Sequence, residues 1–136
     1  MMCSGTFRTM NHHFKKHYTL EEARSMLPKI RRWLERMRES RAAIAEYEAW
    51  AQSRLTLGHD LGGGKTSRWL KLMEEFRETS RMFELSEIQI KNLDRGLIDF
   101  PSIRDGSEIF LCWEMGEKDI EYWHDLSSGF AGRQAL

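Results

Sequence analysis

Apolar residues recur at helical spacing through much of the first half of the chain. Between Leu27 and Leu55 the stripe alternates steps of three and four residues, and Arg41 and Glu48 interrupt it. One face of an amphipathic helix has this spacing. The apolar members of the stripe are Leu27, Ile30, Leu34, Met37, Ile44, Ala51 and Leu55. The pattern therefore predicts a long helix with a wide apolar face.

The residues before this stripe carry the signals of a helix N-terminus. Thr19 and Glu22 have the spacing of a capping box, in which each side chain accepts a hydrogen bond from the other residue's backbone amide. Pro28 follows about two turns later and lacks the donor that a helix interior requires. We expect either a kink at Pro28 or a short first helix, with Pro28 in the first turn of a second one.

A second helical stripe follows a glycine-rich turn. Residues 57–64 read Leu-Gly-His-Asp-Leu-Gly-Gly-Gly, which favours a flexible turn. The residues that then recur at helical intervals are Trp69, Met73, Phe76, Ser80 and Phe83. Two amphipathic helices joined by a short turn form an antiparallel helical hairpin. Apolar surface left over on this hairpin must be covered by the rest of the chain or by a second copy.

After position 85 the apolar pattern changes to the two-residue period of β-strands. The runs with strand character are residues 88–91, 97–100, 108–114 and 120–124. Asp105 and Gly106 form a tight-turn signal. Residues 108–114 are apolar on both faces, so this run is predicted to be the central strand. The fold class is α+β: a long antiparallel helical hairpin followed by a three- to four-stranded antiparallel β-meander.

These elements predict a flexible leader followed by one domain. The leader is residues 1–17, and the single α+β domain is residues 18–136. Within the domain we expect a helical hairpin, a meander and a docking tail. Their predicted bounds are residues 18–86, 87–126 and 127–136.

The composition narrows the function classes. Lys plus Arg and Asp plus Glu each total 21, so the formal net charge is zero, whereas nucleic-acid-binding domains are usually strongly basic. No apolar run approaches the ~18 residues that a membrane span needs, and no secretory signal is recognisable. Cys3 and Cys112 are too few for a disulfide scaffold. We expect a cytoplasmic protein that does not bind membranes.

Three further features invite functional readings that the sequence does not favour. Residues 62–66 end like a phosphate-binding loop, but the first glycine of that motif is misplaced, and the segment joins two helices. The first helix has a basic side, on which RNA could lie, but Glu35 and Glu39 provide salt-bridge partners. His12, His13 and His17 could hold a stray metal ion. We expect no nucleic-acid partner.

The chemistry that remains is concentrated in the last third of the chain. Asp94 and Arg95 sit at a turn, and Asp99 and His124 lie in two predicted strands. If both strands flank the central one, Asp99 and His124 could share a face and form a general-base arrangement. Asp and His side chains are also common metal ligands. The alternative is that Asp94 and Asp99 make turn hydrogen bonds and Arg95 pairs with one of them.

Arginine and tryptophan residues could complete a ligand site around these groups. Arg133 lies between Gly132 and Gln134 in the glycine-containing tail. Its guanidinium can bind an anion through two parallel hydrogen bonds. Alternatively, it docks the tail by a salt bridge. Trp113 and Trp123 could line a small pocket, or they could pack the core. The candidate catalytic residues are His124, Asp99 and Asp94, and the candidate ligand-binding residues are Arg95, Arg133, Trp113 and Trp123. We assign no metal site and no cofactor.

Several motifs together resemble one bacterial family, the domain-of-unknown-function family numbered 2203. They are Thr19-Leu20-Glu21-Glu22-Ala23, Leu27-Pro28, Asp94-Arg95-Gly96-Leu97-Ile98-Asp99-Phe100-Pro101, Asp105-Gly106, Leu111-Cys112-Trp113, Gly116-Glu117, Trp123-His124 and Gly129-Phe130-Ala131-Gly132-Arg133-Gln134. The resemblance covers nearly everything from Tyr18 onward. It implies a bacterial cytoplasmic origin and no activity. Because the motifs concentrate in the meander and tail, the resemblance mildly favours a site there.

These observations support two functional hypotheses. The first is a non-catalytic module that binds a small anionic ligand or a partner and self-associates through the helical hairpin. The second is a small hydrolase or lyase, with His124 as general base and Arg95 or Arg133 holding an anionic substrate.

Overall fold

The computed structural model describes residues 12–136. Two helices come first, α1 (Leu20–Thr56) and α2 (Gly63–Ser86). The strands that follow are β1 (Gln89–Asn92), β2 (Leu97–Arg104), β3 (Ser107–Glu114), β4 (Tyr122–Asp125) and β5 (Gln134–Ala135). A single 3₁₀ turn, Phe130–Gly132, precedes β5. No helix among these described residues has the length and apolar character needed to cross a membrane.

The chain divides into two compact units. The helical unit is Lys29–Phe83, and the sheet unit combines the described residues up to Pro28 with Glu84–Leu136. All candidate site residues belong to the sheet unit.

The capping box predicted at the start of α1 forms. The Thr19 hydroxyl accepts a hydrogen bond from the Glu22 amide at 3.1 Å, and the Glu22 carboxylate accepts one from the Thr19 amide at 2.9 Å. These contacts satisfy donors that the first helical turn cannot pair internally. The helix then continues through Pro28, so the alternative of a separate short first helix is wrong.

The helical unit is the predicted antiparallel hairpin. Trp33 near the start of α1 meets Phe83 near the end of α2, with ring centroids 5.2 Å apart. Tyr47, further along α1, stacks on Trp69 early in α2, at 5.6 Å. Contacts in this reversed order require antiparallel helices. The buried members of the α1 stripe here are Ile30, Leu34, Met37, Ile44 and Ala51. Leu55, predicted on the same stripe, is 59% exposed.

The sheet unit contains a five-stranded antiparallel meander, with the strands side by side in chain order. The strand β3 lies at the centre, as its two apolar faces predicted. Asp105 and Gly106 both adopt positive φ, 50° and 81°, and form the two-residue connection between β2 and β3. This turn geometry suits the right-handed twist of a hairpin and is favoured by an Asp-Gly pair. The short β5 comes from the predicted docking tail and extends the meander by one strand.

Residues 12–17, at the end of the predicted leader, bind two carboxylates of the sheet unit. Glu108 accepts hydrogen bonds from the backbone amides of His13 and Phe14, at 2.7 Å and 3.0 Å. Its second oxygen also lies 2.9 Å from Nε2 of His17. Glu87 accepts from the amides of Lys15 and Lys16. The rest of the predicted leader, including Cys3, lies outside the described residues.

The ionisation of Glu108 should make part of the stability acid-sensitive. Burial acts to raise the pKa of Glu108, but hydrogen bonds from His17, His13 and Phe14 outweigh it and lower the pKa from 4.5 to about 2. Because the folded-state pKa is depressed, this contribution is present above the unfolded pKa and is lost as the pH falls. We expect the free energy of unfolding to fall between pH 4.5 and about 2.

Urea unfolding followed by tryptophan fluorescence measures this loss. Glu108→Gln should show a shallower decline over that pH range than the parent protein. The exposed Glu121 offers a matched control, since Glu121→Gln should leave the decline unchanged. A Glu108→Gln variant with the full acid-dependent loss would contradict the assignment.

Candidate functional site

The register of three strands places a polar cluster on one face of the sheet. Asp99 of β2 lies directly opposite Cys112 of β3, and His124 of β4 lies opposite Phe110 of β3. Side chains two residues apart on a strand share a face. Asp99, Cys112 and His124 therefore project to the same side, as the sequence predicted for Asp99 and His124.

The Asp99 and His124 side chains contact each other in a buried environment. The distance from His124 Nε2 to Asp99 Oδ2 is 3.0 Å, and each side chain is 2% exposed. The other ring nitrogen, Nδ1, lies 2.7 Å from the backbone oxygen of Asp125. Since a carbonyl can only accept, Nδ1 carries a proton. The Nε2–Oδ2 contact then holds one shared proton, either as an imidazolium–carboxylate pair or as a neutral imidazole–carboxylic acid pair.

The Cys112 thiol completes this cluster. Its sulfur and the ligand atoms of Asp99 and His124 all lie within 4.8 Å of one another. Burial, followed by the nearby Asp99 charge, raises the pKa of Cys112 to about 12, although the Arg133 guanidinium opposes the change. A thiol with so high a pKa is neutral at physiological pH, so Cys112 is not an activated nucleophile.

A cavity of about 230 Å³ opens above the cluster. Its floor includes Asp99, Cys112 and His124, and its wall includes Phe110 and Lys91. Asp99 Oδ1 is buried without a hydrogen-bond partner among the described residues. Buried polar atoms in folded proteins are nearly always paired, so an unpaired carboxylate oxygen calls for an explanation.

The loop after β4 forms the roof of the cavity. Asp125 Oδ1 accepts hydrogen bonds from the amides of Ser127 and Ser128, at 3.1 Å and 2.7 Å. These bonds, led by that of Ser128, lower the pKa of Asp125. Asp125 therefore orients His124 through its backbone oxygen and shapes the roof through its side chain. Phe130, which also lines the cavity, ends this loop.

The structure brings two of the predicted ligand-binding residues together around Phe130. The guanidinium carbons of Arg95 and Arg133 lie 4.4 Å and 4.0 Å from the centroid of its ring. Each guanidinium also has a carboxylate partner: Arg95 with Glu114 at 2.7 Å and Arg133 with Glu117 at 2.9 Å. In this arrangement the two arginines pack against Phe130 beside the cavity, and Arg133 anchors the tail through Glu117.

The remaining predicted residues lie elsewhere in the sheet unit. Trp113 and Trp123 point to the face opposite the cluster, because the register alternates them with Cys112 and His124. Trp113 is fully buried and donates to the backbone oxygen of Glu117 at 3.0 Å. Asp94 lies in the exposed turn between β1 and β2, outside the residues that line the cavity.

Sequence reasoning missed the roles of Cys112 and Lys91. Alternation places Cys112 and Trp113 on opposite faces of β3, but the residues that face Cys112 depend on strand register. Lys91 ends the predicted run 88–91, where alternation alone does not show what its side chain contacts. Its ammonium lies 5.2 Å from the centroid of the Phe110 ring, at the cavity wall.

The model of the family described as uncharacterized conserved protein, DUF2203, matches residues 16–136. The chain belongs to this family. The resemblance drawn from the sequence motifs is thereby confirmed, and the family description assigns no activity. No curated protein and no solved structure matches the chain.

Single and double substitutions measure how much the Asp99–His124 pair contributes to the free energy of unfolding. Removing one partner leaves a buried polar group uncompensated, which typically costs about 3–5 kcal/mol. Replacing both partners by apolar residues of similar volume is often neutral or stabilising. We expect Asp99→Leu and His124→Phe each to lower the free energy of unfolding strongly, and the double variant to recover most of the loss.

Urea unfolding of the four proteins in this cycle provides the measurement. A double variant at least as destabilised as the sum of the single variants would contradict the expectation. Such a result would mean that the two side chains contribute to stability independently of their mutual contact.

Proposed function

We propose that this domain is a non-catalytic binding module that takes a small anionic molecule into the cavity above Asp99 and His124. The buried, unpaired Oδ1 of Asp99, a residue that lines the cavity, is the observation that carries this proposal. A ligand with a hydrogen-bond donor would supply the partner that this oxygen lacks.

The cost of the cluster supports a role beyond packing. Burying a carboxylate and an imidazole is expensive even when they are paired, and an apolar pair could fill the same space. All of β2 from Leu97 to Ser102 is buried, so an apolar residue at position 99 would serve packing as well as Asp99 does. Buried titratable groups beside a cavity are a recurrent feature of functional sites.

The cavity wall indicates the chemistry of the ligand. Lys91 offers a cation near the Phe110 ring, and Asp99, whose Oδ1 lacks a partner, offers an acceptor among the lining residues. Together they suit a molecule with an acidic group at one end and an O–H or N–H donor at the other. The volume of about 230 Å³ lies below the ~300–1,000 Å³ typical of ligand pockets, which favours a compact hydroxy or amino acid.

The same geometry favours binding over catalysis. Both ring nitrogens of His124 have protein partners, at 3.0 Å and 2.7 Å. A general base needs a nitrogen within reach of the substrate proton. The hydrolase or lyase hypothesis with His124 as base therefore requires one of these contacts to break during the reaction. Arg95 and Arg133 would likewise have to leave their carboxylate partners to hold a substrate.

Ligand binding can be tested with molecules that contain both groups or only one. We expect glycolate and L-serine to shift backbone amide signals of Asp99, Cys112 and the cavity roof in ¹⁵N-labelled protein kept free of metal by a chelator. Acetate lacks the donor and ethanolamine lacks the carboxylate, so both should bind more weakly.

Three variants provide the controls for this titration. Lys91→Gln should weaken glycolate binding, whereas Lys118→Gln, on a lysine outside the cavity lining, should not. The Asp99→Leu/His124→Phe double variant should show no saturable shifts. If glycolate, L-serine and acetate all leave the cavity signals unmoved, the proposal fails.

The outer face of α2 favours self-association as a second property. Leu70 and Met82 are 56% and 45% exposed, and a shallow groove follows this face. Its charges alternate in sign, in the order Glu74, Arg77, Glu78 and Arg81. An antiparallel second copy places Glu74 opposite Arg81 and Arg77 opposite Glu78. A two-fold dimer requires such a self-complementary patch.

Analytical ultracentrifugation at micromolar concentrations tests this dimer. Leu70→Lys should reduce its population, and Glu74→Arg should do the same by opposing like charges. The charge swap Glu74→Arg/Arg81→Glu should restore it. A parent protein that sediments as a monomer throughout would refute the dimer.

A further inference from the structure

The buried cluster contains the donor atoms of a metal site. Asp99, Cys112 and His124 come from three adjacent strands, and their ligand atoms lie within 4.8 Å of one another. We propose that these three side chains bind a zinc ion whose fourth coordination position faces the cavity. The inference goes beyond the proposed function, because it concerns the protein before any organic ligand is present.

The orientation of His124 suits metal binding. Its Nδ1–H donates to the backbone oxygen of Asp125 at 2.7 Å, which directs Nε2 toward Asp99 and Cys112. Metal-binding histidines usually donate their other ring nitrogen to a carbonyl or carboxylate, and this contact fixes the tautomer. The proton between Nε2 and Asp99 Oδ2 therefore occupies a position from which a cation could displace it.

The charge balance also favours a cation. Asp99 Oδ1 has no hydrogen-bond partner within the described part of the chain, so the cluster has acceptor capacity to spare. A divalent ion coordinated by a carboxylate and a thiolate gives a neutral site, and coordination itself deprotonates a thiol. The buried site would then hold no uncompensated charge.

The donor set selects the class of metal. One sulfur, one nitrogen and one oxygen are ligands that Zn²⁺ accepts in a tetrahedral site. Mg²⁺ and Ca²⁺ prefer several oxygen ligands, and this cluster offers a single carboxylate. Three protein ligands leave one of the four tetrahedral positions open to a bound molecule, whereas structural sites use four protein ligands. The cavity of about 230 Å³ adjoins the open position.

A second group of possible ligands has to be distinguished from this one. His12, His17 and Glu108 also place their ligand atoms within 4.8 Å of one another, and all three residues are only partly buried. This second group contains no cysteine. A sulfur-specific signal therefore separates the two clusters.

Cobalt substitution provides that signal. The full chain, stripped of metal with a chelator, is titrated with Co²⁺ and monitored by absorption spectroscopy. A cysteine ligand gives an intense thiolate-to-cobalt charge-transfer band, and a tetrahedral site gives strong visible d–d bands. We expect both in the parent protein, saturating at equimolar metal and displaced by Zn²⁺.

Matched variants assign the band to its ligands. Cys112→Ser should lose the charge-transfer band, and His124→Gln should weaken Co²⁺ binding at least tenfold. Cys3→Ser and His17→Gln should keep the band and the affinity. X-ray absorption of the zinc-loaded parent protein gives a check that does not depend on the folding of any variant, since it should detect one sulfur neighbour.

Several outcomes would overturn the zinc site. They are the absence of a charge-transfer band in the parent protein, its survival in Cys112→Ser, its loss in Cys3→Ser, or a zinc neighbourhood without sulfur. The glycolate titration of chelator-treated protein reports on the proposed function separately. Zinc binding without glycolate binding would refute the proposed function alone, and glycolate binding without a metal signal would refute the zinc site alone.

Discussion

The contact between Asp99 and His124 is the interaction on which the rest of the candidate site depends. It pairs two buried polar side chains from strands that are not neighbours, across the central strand β3. Desolvation makes an isolated charge at this depth very costly, so each group requires the other. The cavity, the neutral thiol of Cys112 and the backbone oxygen of Asp125 all adjoin this buried pair.

The surrounding residues hold the pair in place from several directions. The backbone oxygen of Asp125 fixes the imidazole, while its carboxylate organises the roof at Ser127 and Ser128. Arg95 and Arg133 secure Phe130 against the cavity. Residues held by such contacts are preorganised, which lowers the entropic cost of binding a ligand.

Much of the fold could be predicted from local sequence signals. The capping box at Thr19 and Glu22, the helical stripes and the Asp105-Gly106 turn act over a few residues, and each formed as expected. The continuous helix through Pro28 could not be predicted, because packing decides whether a helix tolerates a proline. The short β5 was missed because a two-residue strand carries no periodic signal.

The candidate site was only partly predictable for a different reason. Asp99 and His124 were expected to share a face, but the side chains around them depend on strand register, which a single sequence specifies weakly. Register decides that Cys112 faces Asp99 and that Trp113 and Trp123 face away. The partners of Arg95 and Arg133 are likewise set by tertiary contacts with Glu114 and Glu117.

The ¹⁵N chemical shifts of the His124 ring test most directly whether this buried pair binds a ligand. In metal-free protein we expect Nδ1 to carry a proton throughout, as its contact with Asp125 requires. On addition of zinc, the Nε2 signal should move to the position of a metal-bound nitrogen while Nδ1 stays protonated. An Nε2 signal that is unchanged in the presence of excess zinc and of glycolate would contradict the account and leave the pair a packing feature.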